Sequence, residues 1–142
     1  MNEFTFDQIA SSADLCGEQK FSVTVTQEMM DNFLKITGDV NPMHTDEEYA
    51  KQNGFSSRLV YGLLSASFYS TLAGVYLPGK YCLLHEVSTQ FAKPVFVGDV
   101  LTVSGKVNKV DDTFRRIIIK ARIVNQDGKT VNRATIAAGV MK

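Results

Sequence analysis

The spacing of hydrophobic residues changes character along the chain. Phe21, Val23 and Val25 alternate with Ser22 and Thr24, the pattern of a strand with one buried face. Thr26 is suited to cap a helix, in which Met29, Met30, Phe33 and Ile36 recur at roughly helical spacing. Gly38 fits the position just past that helix's end. Residues 39–45, interrupted by Pro42, read as loop, and 46–52 as a short helix ended by Asn53-Gly54. The stretch YGLLSASFYSTLAGV, residues 61–75, is apolar or small on every side and carries no charge. A helix with no polar face is buried on most of its surface. Being shorter than the roughly 18 apolar residues of a membrane span, it reads as the central helix of a core, closed by Leu77-Pro78-Gly79.

The second half turns to strand periodicity. Residues 83–91 form one expected strand, and Pro94 and Gly98-Asp99 separate it from the next. Leu101, Val103 and Val107 alternate with Thr102, Ser104 and Lys106. After Asp111-Asp112, Ile117, Ile119, Ala121 and Ile123 alternate with Arg116, Lys120 and Arg122. Asp127-Gly128 is a tight-hairpin signal, and Ala134, Ile136, Ala138 and Val140 mark the inner face of a last strand. One strand, a helical segment and then four turn-linked strands predict an α+β fold with an antiparallel sheet, in a single domain over residues 1–142.

Composition narrows the function without naming it. Fifteen basic residues balance fifteen acidic ones, so no face is expected for nucleic acid or for a membrane surface. The N-terminus lacks the basic head and continuous apolar core of a signal peptide, and Cys16 and Cys82 have neither metal-ligand nor redox spacing. A reduced, cytoplasmic protein is expected.

Chemistry concentrates in FLKITGDVNPMHTDEEYAKQNGFSSRLVYG, residues 33–62. Asp39, Asn41 and His44 fall within six residues, and Gly62 opens the apolar helix. A carboxylate and an imidazole supply two proton-transfer groups, and a backbone N–H at a helix start can hold negative charge developing on a carbonyl oxygen. An imidazole, with a reference pKa of about 6.5, exchanges protons near neutrality. These are the parts needed to add water across an activated double bond, or to remove it. The structural alternative is a turn in which Asp39 bonds its neighbours and His44 is solvated. The Asp39, Asn41, His44 and Asp46 cluster departs from a calcium loop at Met43 and His44, so no metal is expected. Cys82 and His85, three apart in a strand, face opposite sides and form no nucleophile pair.

TGDVNPMHTDEEYA, followed by GF and LVYGLLSAS, resembles the hydratase-2 motif of MaoC-like proteins, the (R)-specific enoyl-CoA hydratases, and FAKPVFVGDVL resembles a later segment of the same family. The resemblance implies a hot dog fold, an antiparallel sheet curled around a long central helix, paired into a homodimer or a dimer of dimers. It implies that Asp39 and His44 are the catalytic acid and base, holding one water, and that Asn41 orients them. It gives the Gly62 backbone N–H the thioester oxygen. The substrate so implied is a trans-2-enoyl thioester of CoA, with acyl carrier protein as the alternative carrier and no cofactor beyond it.

Tyr61 departs from the family, which commonly has histidine before the helix glycine; this bears on the acyl pocket. Arg58, Lys80 and Lys93 are candidate phosphate contacts. Ser65 is either a substrate contact or a hydroxyl bonded back to its own helix, the latter being the commoner use. Two other functions remain open for this fold: a binding module without turnover, and an acyl-CoA thioesterase.

Overall fold

The computed structural model describes all 142 residues. The alternating segments form β1 (Gln19–Thr24), β2 (Cys82–Phe91), β3 (Val100–Asp111), β4 (Arg116–Val124) and β5 (Thr130–Val140), joined in one sheet in the order β1-β3-β4-β5-β2. Every pairing is antiparallel. The inward residues meet across strands: Val103 opposite Ile123, Val107 opposite Ile119, and Ile119 opposite Ile136. Each such pair adds a few tenths to about 1 kcal/mol beyond burial of its area.

Against this face lies α5 (Gly62–Thr71), continued by a wider helical turn over Leu72–Tyr76. Contact is close where the sheet has no side chain. A Cβ on Gly105 would stand 2.9 Å from Leu72 Cδ2 and 3.0 Å from Ile119 Cγ2, so glycine there lets the helix settle. Leu64, Tyr69 and Leu72 join Leu101, Val103, Ile117, Ile119 and Ile123 in one core.

Four expectations need correction. The central helix, expected to be buried on most of its surface, is open along one side: Leu63 is 65% exposed, and Ser67 and Ser70 are also exposed. In α2 (Gln27–Thr37), Met30 is buried and Phe33 and Leu34 pack beside it, but Ile36 is 81% exposed. Ile36 lies six residues beyond Met30, about 120° round the helix from it and in its last turn, one residue before α2 ends. Residues 39–45 are not all loop, because Pro42–Thr45 forms a helical turn, α3. Proline occupies its first turn, where a missing N–H and a fixed φ do no harm. The Asp127-Gly128 hairpin is looser than a two-residue turn: Asn125 N–H donates to Lys129 O, Gly128 N–H to Asn125 O, and Gly128 takes φ +73°.

A helix not anticipated, α1 (Phe6–Ser11), buries Phe6 and Ile9. Its signal was present as the capping box Thr5…Gln8, in which each side chain bonds the other's backbone N–H. The remaining helix, α4 (Glu47–Gln52), begins at an Asp46 cap close to its expected start.

Candidate active site

The segment between α2 and α5 is folded by its own side chains. Gly38 ends α2 in the left-handed conformation, φ +70°, with its N–H on Leu34 O. Asp39 Oδ1 then accepts from Asn41 N–H at 3.0 Å, and Asn41 Oδ1 caps α3 by accepting from Met43 N–H at 2.9 Å. The turn reading of Asp39 is thus realised, and it occupies one oxygen of the carboxylate. Asn41 reaches His44 through the helical turn it caps rather than by touching the ring.

His44 is half-buried, with Nδ1 2.8 Å from Leu59 O. A carbonyl only accepts, so Nδ1 carries the hydrogen and the neutral ring keeps its lone pair on Nε2. The outward nitrogen is thereby set up as a base.

Tyr61 links Asp39 and His44. Its ring lies 4.3 Å, centroid to centroid, from that of His44 and 4.7 Å from that of Phe33. Its hydroxyl donates to the Asp39 carbonyl at 2.9 Å. Burial, helped by the nearby charge of Asp39, raises the Tyr61 phenol above its ordinary range, so it stays a donor. Tyr61 is buried behind the site and does not line the pocket, so its departure from the family touches positioning rather than the acyl wall.

The pocket has a volume of about 310 Å³ and is lined in part by His44, Gly62, Ser65, Phe91, Lys93 and Asn132. Gly62 is the first residue of α5, whose N-terminus has no side-chain cap, and a first-turn N–H has no acceptor within its own helix. A Cβ at Gly62 would stand 2.9 Å from Phe91 Cε1. Glycine therefore keeps the backbone open beside an aromatic rim.

The candidate cations separate. Lys93 lines the pocket, Arg58 donates to Gln27 Oε1 at 2.7 Å, and Lys80 pairs with Glu3 at 2.9 Å; neither of the last two lines it. Ser65 lines the pocket with its hydroxyl unbonded, against the expectation that it bonds back to its helix. Sequence reasoning did not single out Asn132. An asparagine among inward-facing Val131, Ala134 and Ile136 was the available signal.

A sheet packed on one central helix defines a hot dog protein, and an oriented imidazole and an uncapped helix N-terminus share one pocket, while Asp39 is exposed and not among the residues that line it. Residues 14–129 match the MaoC like domain model, and the chain belongs to that family. It is 35% identical over 96 residues to the (R)-specific enoyl-CoA hydratase of Aeromonas caviae, covering 68% of this chain and 72% of that protein. It is also 35% identical over 81 residues to the (R)-specific enoyl-CoA hydratase of Rhodospirillum rubrum, covering 57% of this chain and 56% of that protein. The match thus spans little more than half the length of the second relative. The solved (R)-hydratase from A. caviae superposes with a TM-score of 0.82 at 28% identity, covering 87% of this chain and 93% of that one.

Proposed function

We infer that the protein is a hydro-lyase that reversibly adds water to trans-2-enoyl thioesters to give the (3R)-hydroxyacyl thioester. One observation carries this reading: His44, held by Leu59 O with Nε2 as its basic nitrogen, and the uncapped Gly62 N-terminus open on one pocket. The names of the relatives support it.

The thioester oxygen sits on the Gly62 N–H, which stabilises the enolate as charge develops there. One water lies between the Asp39 carboxylate and His44 Nε2. Its oxygen bonds C3 and gives up one proton to the Asp39–His44 pair, while the π pair moves toward C2 and the thioester oxygen; the pair returns a proton to C2, and the charge is discharged. Asp39 and His44 exchange the two protons as a coupled pair, so neither step is assigned to one residue alone. Dehydration is the same path reversed. No cofactor is required beyond the thioester's own carrier, which is CoA, with acyl carrier protein as the alternative.

We place the protein in the cytoplasm as a homodimer. The pairing is supported by the edge strand β2, where Leu83, Leu84 and Phe91 are exposed, and by the uncovered Leu63 of α5. Exposed edges and apolar patches are normally covered. No helix is long and apolar enough to cross a membrane.

The test is incubation with crotonyl-CoA and longer enoyl-CoAs, with chiral analysis of product. Loss of enoyl-thioester absorbance with (3R) product and no free thiol is expected. Thiol release would mean a thioesterase, and binding without product a carrier or sensor.

A further inference from the structure

Deep in the same pocket two polar atoms have nothing to bond. Ser65 is 3% exposed and Asn132 1%, and neither Ser65 Oγ nor Asn132 Nδ2 has a partner. Both residues line the cavity that holds His44 and Gly62. Leaving a buried donor or acceptor unpaired destabilises a fold, and alanine or valine would fill these positions without that penalty.

Neither group lacks a local alternative by accident of position. Ser67, two residues along the same helix, does bond back, its Oγ donating to Leu64 O at 2.6 Å. Ser65 makes no such bond. Asn132 is fixed by its other end: Oδ1 accepts from Tyr69 at 2.6 Å and from Thr89 at 2.7 Å. The two hydroxyls hold the amide in place and leave Nδ2 unbonded. Burial raises the Tyr69 phenol, so that hydroxyl keeps its proton.

Gly62, Ser65 and Tyr69 follow one another along one side of α5, at offsets of three and four. The rise of about 1.5 Å per residue puts Ser65 roughly 4–5 Å along the axis from the Gly62 N–H. That is the length of a few carbon–carbon bonds. An acyl chain whose thioester oxygen sat on the Gly62 N–H would bring the carbons next to its double bond level with Ser65, in the pocket that Asn132 also lines.

We propose that this protein selects short enoyl thioesters whose acyl chain carries an oxygen function, a hydroxyl or keto group, a few carbons beyond the double bond. Asn132 Nδ2 donates to that oxygen and Ser65 Oγ completes the pair, while the apolar wall, including Phe91, encloses the carbons. This rests on the hydro-lyase reading and adds the substrate class to it. A site built to hydrogen-bond a substrate oxygen discriminates strongly against the analogue lacking it, because the site's own polar atoms are then left unpaired.

The experiment compares trans-2-hexenoyl-CoA with its 6-hydroxy and 5-keto counterparts, each against crotonyl-CoA, in the wild type and in Ser65→Ala and Asn132→Leu. Affinities of the corresponding saturated acyl-CoAs are measured alongside, so the comparison holds without turnover. At least one oxygenated chain should exceed hexenoyl-CoA by about tenfold or more in kcat/KM, and its saturated form should bind more tightly than hexanoyl-CoA. Ser65→Ala, a small change in a helix, should erase most of that preference, read as the ratio of kcat/KM for the oxygenated chain to that for hexenoyl-CoA within the same variant. Asn132→Leu should do the same, with some loss of stability because Tyr69 and Thr89 lose their acceptor. Equal or better handling of hexenoyl-CoA by the wild type overturns the proposal, as does a preference that survives both substitutions. Ser65→Ala that alters stability alone assigns the pair to a bridging buried water, and also overturns it. Crotonyl-CoA hydration with no oxygen preference defeats this proposal but not the hydro-lyase reading; no hydration of any thioester defeats that reading.

Discussion

Replacing Tyr61 with phenylalanine isolates a single hydroxyl between Asp39 and His44, the pair proposed to move protons. The ring is buried against His44 and Phe33, and phenylalanine keeps that packing. What disappears is the 2.9 Å bond to the Asp39 carbonyl. A hydrogen bond contributes about 0.5–1.5 kcal/mol net, and the exposed Asp39 lets water replace the lost donor, so the low end applies. For a chain of this size that lowers Tm by about 1–2 °C. The catalytic effect should be larger than the stability effect. A displacement of about 1 Å at a reacting group can reduce rate on the order of a hundredfold, so kcat should fall roughly 10- to 100-fold. KM should stay within about threefold, since the bond grips no substrate. Burial raises the Tyr61 phenol in the folded chain, so it is protonated in both folded and unfolded states throughout the neutral range. The difference from Tyr61→Phe should therefore be flat with pH until about 10, where the unfolded chain's phenol ionises first and wild-type stability declines. Crotonyl-CoA hydration across pH, with thermal unfolding on the same samples, makes the check. An unchanged kcat beside the expected loss in Tm would show that the hydroxyl only braces the loop.

Asp39→Asn and His44→Asn should each lower turnover by roughly two to four orders of magnitude. If both hold one water, the double variant should be little worse than the worse single one, with affinity for a saturated acyl-CoA nearly unchanged. Full rates in both single variants would exclude them as the acid–base pair. Gly62→Ala places a Cβ 2.9 Å from Phe91 Cε1; because that ring is exposed and can swing, the fold should survive while kcat/KM falls about tenfold. An unaffected kcat/KM would remove the Gly62 backbone from the mechanism. Sedimentation at micromolar concentration should show a dimer, and Leu84→Lys on the exposed edge strand should shift it toward the 15.7 kDa monomer; a wild-type monomer would count against the pairing.

Periodicity was enough for much of this molecule, because a half-buried strand and a buried helix each impose a repeat on sequence. The alternation of Ile117, Ile119 and Ile123 marked the inner face of β4, and the uncharged run after Tyr61 marked α5 as the core helix. Asp39, Asn41, His44 and Gly62 were legible as a group because local spacing and the family motif both pointed to them. What one residue does to another far along the chain was not legible. Leu59 O fixing the His44 tautomer and Tyr61 reaching back to Asp39 depend on how the segment leading into α5 folds against residues 39–45, and Asn132 joining Ser65 in one pocket depends on how β5 packs near α5. Nor does local spacing show that Arg58 and Lys80 are engaged elsewhere, with Gln27 and Glu3. Short-range order is set by the repeat of each element. Convergence of a site is set by packing among elements, and only the folded chain supplies that.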